Sequence, residues 1–156
     1  QDYNPNAKIA FVVFYSNPPA HPENSKYAKT KPAPTWSEYD RDRPKVDNML
    51  RLNFESARLT HPQCRLVILT DTSTEFSMGK IDPGLSGPKI EIVRTEGLDS
   101  NEEMLSRLRT RVRFLESERG THHLVFLDTD MLVVKNLNRV FGEPFDVAAT
   151  WRHQKE

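Results

Sequence analysis

The chain has 156 residues, of which 37% are hydrophobic and 28% charged, with 22 Lys and Arg balanced by 22 Asp and Glu. That length suits one domain with a real apolar core. Zero net charge argues against a general nucleic-acid binder, and no apolar run approaches the roughly 18 residues of a membrane span. The single cysteine, Cys64, excludes an internal disulfide and a cysteine-based zinc site. The chain opens on Gln1, so an anchor or signal upstream stays open, and with it a cytoplasmic or a lumenal setting.

Residues 9–14 form a continuous β-branched and aromatic run that reads as a first strand. A long proline-rich loop is expected over 17–42, because six of the eleven prolines fall between Pro18 and Pro44. Each fixes φ and removes a donor; loops of this length in compact domains are often functional, the plainer alternative being a variable surface insertion. Pro44 suits the first turn of a helix, and Val46, Leu50, Phe54 and Ala57 follow at helical spacing up to His61-Pro62. Residues 65–70 read as the second strand and 89–93 as the third. A second helix is expected over 101–119, with Leu105, Leu108, Val112 and Leu115 as its apolar stripe and Gly120 as a stop. Residues 124–127 are the fourth strand, and 145–150 form a weaker fifth run.

Continuous apolar strands alternating with helices predict an α/β sandwich, a mainly parallel sheet flanked by helices in one domain spanning 1–156. Ligands in such sheets bind outside the carboxyl ends of the strands. The first strand ends in Tyr15-Ser16-Asn17 and the second in Thr70-Asp71. Asp71 reads either as the start of a turn or as an acceptor for a nucleobase imide. The fourth strand runs into Asp128-Thr129-Asp130. Two hard carboxylates one residue apart suit Mg²⁺ or Mn²⁺, and on an extended strand they point to the same side. The plainer alternative is a pair of carboxylates capping the next turn.

Arg107 and Arg111 share one flank of the second helix and Arg109 and Arg113 the other, at about 100° per residue. One pair suits phosphate or sugar groups at the strand ends. The alternative is four surface charges balanced by Glu102, Glu103, Glu116 and Glu118. The histidines have no zinc spacing and read as structural or exposed. Neither a Walker loop, a nucleophile elbow nor a G-x-G-x-x-G is present.

The segment Leu124 to Leu137, with Asp128-Thr129-Asp130 at its centre, resembles the D-x-D region of GT-A fold glycosyltransferases. It is most similar to family 8, the glycogenin and lipopolysaccharide galactosyltransferase group. The run Phe141 to Ala149 fits a short strand of that family, and Cys64 to Asp71 resembles its second strand. The resemblance implies a Rossmann-like nucleotide-diphospho-sugar transferase domain and transfer of a hexose from a UDP-sugar, with Mn²⁺ or Mg²⁺, to an unknown acceptor. It implies that Asp128 and Asp130 bind the metal. Tyr15, Ser16 and Asn17, together with Asp71, Thr129 and Arg107 or Arg111, would meet the nucleotide. Family catalytic domains run well past the D-x-D, so this chain corresponds to an N-terminal nucleotide-binding part. D-x-D also follows an apolar strand in HAD-type phosphatases, where the first Asp is a nucleophile and the second an acid/base. A non-catalytic nucleotide-sugar-binding module is the third reading.

Overall fold

The computed structural model describes residues 8–16, 36–96, 103–118 and 122–142, with the backbone alone described at 36–44 and 103. The elements in order are β1 (Lys8–Phe14), α1 (Trp36–Thr60), β2 (Arg65–Asp71), a one-turn α2 (Met78–Ile81), β3 (Glu91–Thr95), α3 (Glu103–Ser117) and β4 (His122–Leu127), then a 3-10 turn at Val140–Gly142. The four strands form one sheet in the order β3-β2-β1-β4, and every pairing is parallel. The predicted α/β class and mainly parallel sheet are what the chain adopts.

Strand alternation divides the core into two layers. Ile9, Phe11 and Val13 of β1, with Leu66 and Ile68 of β2, meet Leu50, Phe54 and Ala57 of α1. Val12, Phe14, Val67 and Leu69 point to the opposite face and meet Phe114 of α3. The central strands are therefore buried on both sides, which is why their sequences are unbroken apolar runs. Every residue of β4 is only half-buried. As an edge strand it has one strand neighbour among the described residues, so its apolar run does not achieve the burial its composition suggested.

Several boundaries differ from the sequence reading. Helix α1 begins at Trp36, so Pro44 stands inside it and the helix takes up the end of the expected 17–42 loop. Residues 36–43 contain neither Pro nor Gly, but Pro44 removes an N–H from the helix ladder and disfavours helical backbone at the residue before it, so local propensity does not account for the extension. Strand β3 lies two residues later than expected, in register with Val67 to Asp71 of β2. The remainder of the loop, Asn17 and the run 145–150 lie outside the described residues.

The largest departure concerns α3. Its expected apolar stripe faces outward: Leu105, Leu108, Val112 and Leu115 are 40, 50, 51 and 45% exposed. The face turned to the sheet carries Ser106, Thr110 and Phe114, all buried. Thr110 can be buried there because its hydroxyl donates to the Ser106 carbonyl of its own helix at 2.9 Å. Ion pairs hold the helix in this rotation. Arg65 of β2 bonds Glu118 just past its end at 2.7 Å, and Arg65 also pairs Glu91.

The chain runs β1, β2, β3 outward, then crosses back beside β1 to form β4. Between β1 and β4 the strand order reverses, and the loops leaving their carboxyl ends diverge. Among the described residues no helix is long and apolar enough to cross a membrane.

Candidate functional site

Sheet register sets the levels of the candidate residues. Val13 pairs with Leu127, so Asp128 follows one residue beyond β4 at the level of Phe14. Phe14 pairs with Leu69, so Tyr15 and Ser16 stand level with Thr70 and Asp71. The sequence candidates Tyr15, Ser16, Asp71 and Asp128 thus share the carboxyl edge of three adjacent strands.

On the β1–β2 side, the Tyr15 N–H donates to the Leu69 carbonyl at 3.0 Å, carrying the ladder one residue past β1. Ser16 Oγ donates to Asp71 Oδ2 at 2.7 Å and ties the two strand ends together. Asp71 Oδ1 also accepts the Ser73 N–H and hydroxyl, both at 2.6 Å, and the Thr74 N–H at 2.7 Å; Oδ2 takes the Thr74 hydroxyl. Burial alone would raise this carboxyl, but the hydrogen bonds from Ser73, Thr74 and Ser16 outweigh it and hold the group well below the usual carboxylate range. Five donors fill the roughly four lone-pair sites of a carboxylate, so this arrangement has no acceptor left for a nucleobase. Of the two readings of Asp71, the turn is the one present here.

Arg94 of β3 fastens the same loop, donating to the carbonyls of Asp71 and Thr74 at 2.9 Å each. The loop so held sets Phe76 edge-on to Tyr15, with ring centroids 6.1 Å apart.

On the β4 side, Asp128 is 47% exposed and ion-paired to Arg107 and Arg111, the latter at 3.5 Å. Of the two arginine pairs on α3, this is the one that faces the strand ends; Arg109 and Arg113 lie on exposed positions. Arg111 also lies over the Phe126 ring at 5.4 Å. Burial, then the neighbouring charge of Arg107, lowers Arg111 from its usual value. The Nε atoms of both arginines are buried and have no hydrogen-bond partner among the described residues. Two cations crowd one carboxylate, and an additional anion would relieve their repulsion.

The D-x-D does not lie on an extended strand. The Met131 N–H donates to the Asp128 carbonyl at 3.1 Å and closes a turn directly after β4. Asp and Thr favour such turns, and the same-side argument from strand alternation does not apply to them. Asp128 is directed at the arginines, Thr129 is half-buried and Asp130 is exposed.

Helix α1 holds this turn from below. Asn53, fully buried, donates its amide N–H groups to the carbonyls of Asp128 and Met131 at 3.2 and 2.8 Å. One helical turn on, Ser56 Oγ accepts the Val133 N–H at 2.9 Å. Farther along, Asn136 donates to the Thr60 carbonyl, and His61 Nε2 accepts the Leu137 N–H at 2.9 Å. His61 is therefore a neutral structural residue with its proton on Nδ1, beside the Thr60 hydroxyl at 2.9 Å. His123 stacks on Phe141, and His122 lies 3.7 Å from Glu118, so these two are structural as well. Asn53 and Ser56 were not singled out by sequence. The available signal was a polar residue at a core-facing position between Leu50, Phe54 and Ala57.

The sequence reading offers two carboxylates at this edge for a metal, Asp128 and Asp130. Among the described residues no group of three or more His, Cys, Asp or Glu side chains gathers. Such a set fits Mg²⁺ or Mn²⁺ only where diphosphate and water oxygens complete the shell. Compared with family models, with curated proteins and with solved structures, the chain matches none.

Proposed function

We propose that the chain is the nucleotide-binding part of a metal-dependent glycosyltransferase of the GT-A kind, taking its sugar from a nucleotide-diphosphate sugar such as a UDP-sugar. The observation that carries this reading is the Asp128 carboxylate with Arg107 and Arg111 at the reversal between β1 and β4. A half-exposed carboxylate and two crowded guanidinium groups match a ligand that is both a polyanion and a bridge to a cation.

In this reading Arg107 and Arg111 leave Asp128 for the diphosphate, whose oxygens accept their N–H groups. Asp128, so released, and Asp130 would be the residues that hold Mn²⁺ or Mg²⁺. When bound, the cation neutralises charge that develops on the departing diphosphate. Tyr15 and Ser16, directly past the end of β1, take the nucleoside end. Asp71 acts indirectly, holding Ser16 and the loop that sets Phe76 against Tyr15.

Titration calorimetry of UDP with and without Mn²⁺ tests this, on the chain and on Asp130→Ala and Arg111→Ala. The expected result is metal-dependent binding lost in Asp130→Ala. Loss of one charge-assisted contact, at about 1.5–3 kcal/mol, weakens Arg111→Ala roughly 10- to 150-fold. Equal binding by all three proteins, or none by any, refutes the assignment.

A further inference from the structure

The turn that carries Asp128 and Asp130 is shaped by α1 rather than by the strand before it. We infer that Asn53 is the positioning residue of this turn, aiming both carboxylates by holding the Asp128 and Met131 carbonyls.

Both partners of Asn53 are carbonyl oxygens, which only accept. The amide NH₂ must therefore face them, and its two N–H groups are both used. The two carbonyls bracket the carboxylate-bearing residues, so fixing them fixes the backbone from which Asp128 and Asp130 project. Asn53 has no solvent exposure, and its neighbours on the same helix face are Leu50, Phe54 and Ala57. Its Oδ1 is buried with no hydrogen-bond partner among the described residues. A buried amide with an idle acceptor is unfavourable by about 1–3 kcal/mol relative to a satisfied one. An apolar residue of similar size would avoid that penalty, so the advantage of Asn lies in the turn it holds. Ser56 continues the grip at Val133, beyond the carboxylates.

The ligand arm of the test rests on the proposed donor site; the backbone arm does not. Hydrogen exchange is measured for the segment 128–134 in the chain, in Asn53→Leu and in Asn53→Asp, under conditions where each is folded. Ser56→Ala serves as a control: it frees the Val133 N–H and removes the Ser56 hydroxyl bond to the Asn53 carbonyl, while the Asn53 amide keeps its bonds to Asp128 and Met131. The expected result is at least ten-fold faster exchange at Met131 in Asn53→Leu, with β1 and β2 amides following global stability alone. In Asn53→Asp a carboxylate meets two carbonyls, so protection is lost at neutral pH. It returns as acidification restores an O–H donor; protonating a buried carboxylate also restores global stability, so the return is scored at Met131 relative to the β1 and β2 amides. Unchanged Met131 exchange in both variants overturns the inference.

Calorimetry with UDP and Mn²⁺ is run on the same proteins. Folded Asn53→Leu is expected to bind at least ten-fold more weakly with metal, with metal-free UDP binding unaltered. Equal metal-dependent affinity overturns the aiming role. If the unsubstituted chain binds no UDP, the donor-site reading fails, and the exchange data still decide whether Asn53 sets the turn.

Discussion

The rotation of α3 decides whether Arg107 and Arg111 reach Asp128 at all, and single alanine substitutions test it. Phe114 is 5% exposed and packs among Val12, Phe14, Val67 and Leu69. Removing it leaves a cavity between helix and sheet, and Phe→Ala in such a place costs about 3–5 kcal/mol. Leu108 and Val112 are half exposed. Full burial of such side chains is worth about 1.5–3 kcal/mol, so half of that is the most either loses. Alanine is the better helix former, by up to about 0.7 kcal/mol. The net effect of Leu108→Ala or Val112→Ala is therefore about 1 kcal/mol or less. In urea, with a slope of about 2 kcal/mol per molar, Phe114→Ala lowers the midpoint by roughly 1.5–2.5 M. The other two shift it by about 0.5 M or less at the same slope. Unchanged slopes across the set keep the comparison two-state. If Leu108→Ala and Val112→Ala cost as much as Phe114→Ala, the stripe faces the sheet. Arg107 and Arg111 then cannot both pair with Asp128, and the site as described fails.

Gly87 has φ of +145°, and a Cβ there would lie 1.9 Å from Arg58 Nη1 and 2.8 Å from the Pro62 carbonyl oxygen. Gly87→Ala should therefore cost about 2–4 kcal/mol, from backbone strain and disturbance of the buried Arg58 bonds to Pro62 and Pro88, read as a fall in melting temperature. Asp71 is held below its unfolded value near 3.9, so its contribution is complete above that pH and is lost as pH falls below about 4. Asp71→Asn should lack that acid-side loss and be about 1.5–3 kcal/mol less stable at pH 7 by urea unfolding, because an amide NH₂ cannot accept from Ser73 and Thr74. Burial lowers His61 below its unfolded value near 6.5, so its stabilisation is full above that pH and falls as acid protonates Nε2 and displaces the Leu137 N–H. His122 is lowered as well and titrates in the same direction. The readout is therefore the difference in pH slope between the chain and His61→Gln, with no difference counting against the tether.

Much of the frame was legible in the residues themselves. Unbroken apolar runs identified β1 and β2, because a strand buried on both faces has no polar side to show; β4 carries such a run while only half-buried, and the third strand was read from the alternation over 89–93. Helical spacing placed Arg107 with Arg111 and apart from Arg109 and Arg113, since 3.6 residues per turn is a local property. Polar residues directly after apolar strands marked the sheet edge that Asp128, Tyr15 and Ser16 share. Periodicity says which side chains share a face, though, and not which face turns inward. For α3 that choice rests on partners distant in sequence, Asp128 at one end and Arg65 at the other, with Phe114 seated between. The same holds for Asp71, whose donors include Ser16 from another strand, and for the D-x-D turn, whose shape comes from Asn53 some 75 residues earlier. Composition and local spacing determined which elements form and which groups they offer. Tertiary packing decided which of those groups face each other, because hydrogen bonds and ion pairs between remote residues exist only once the sheet has brought them into register.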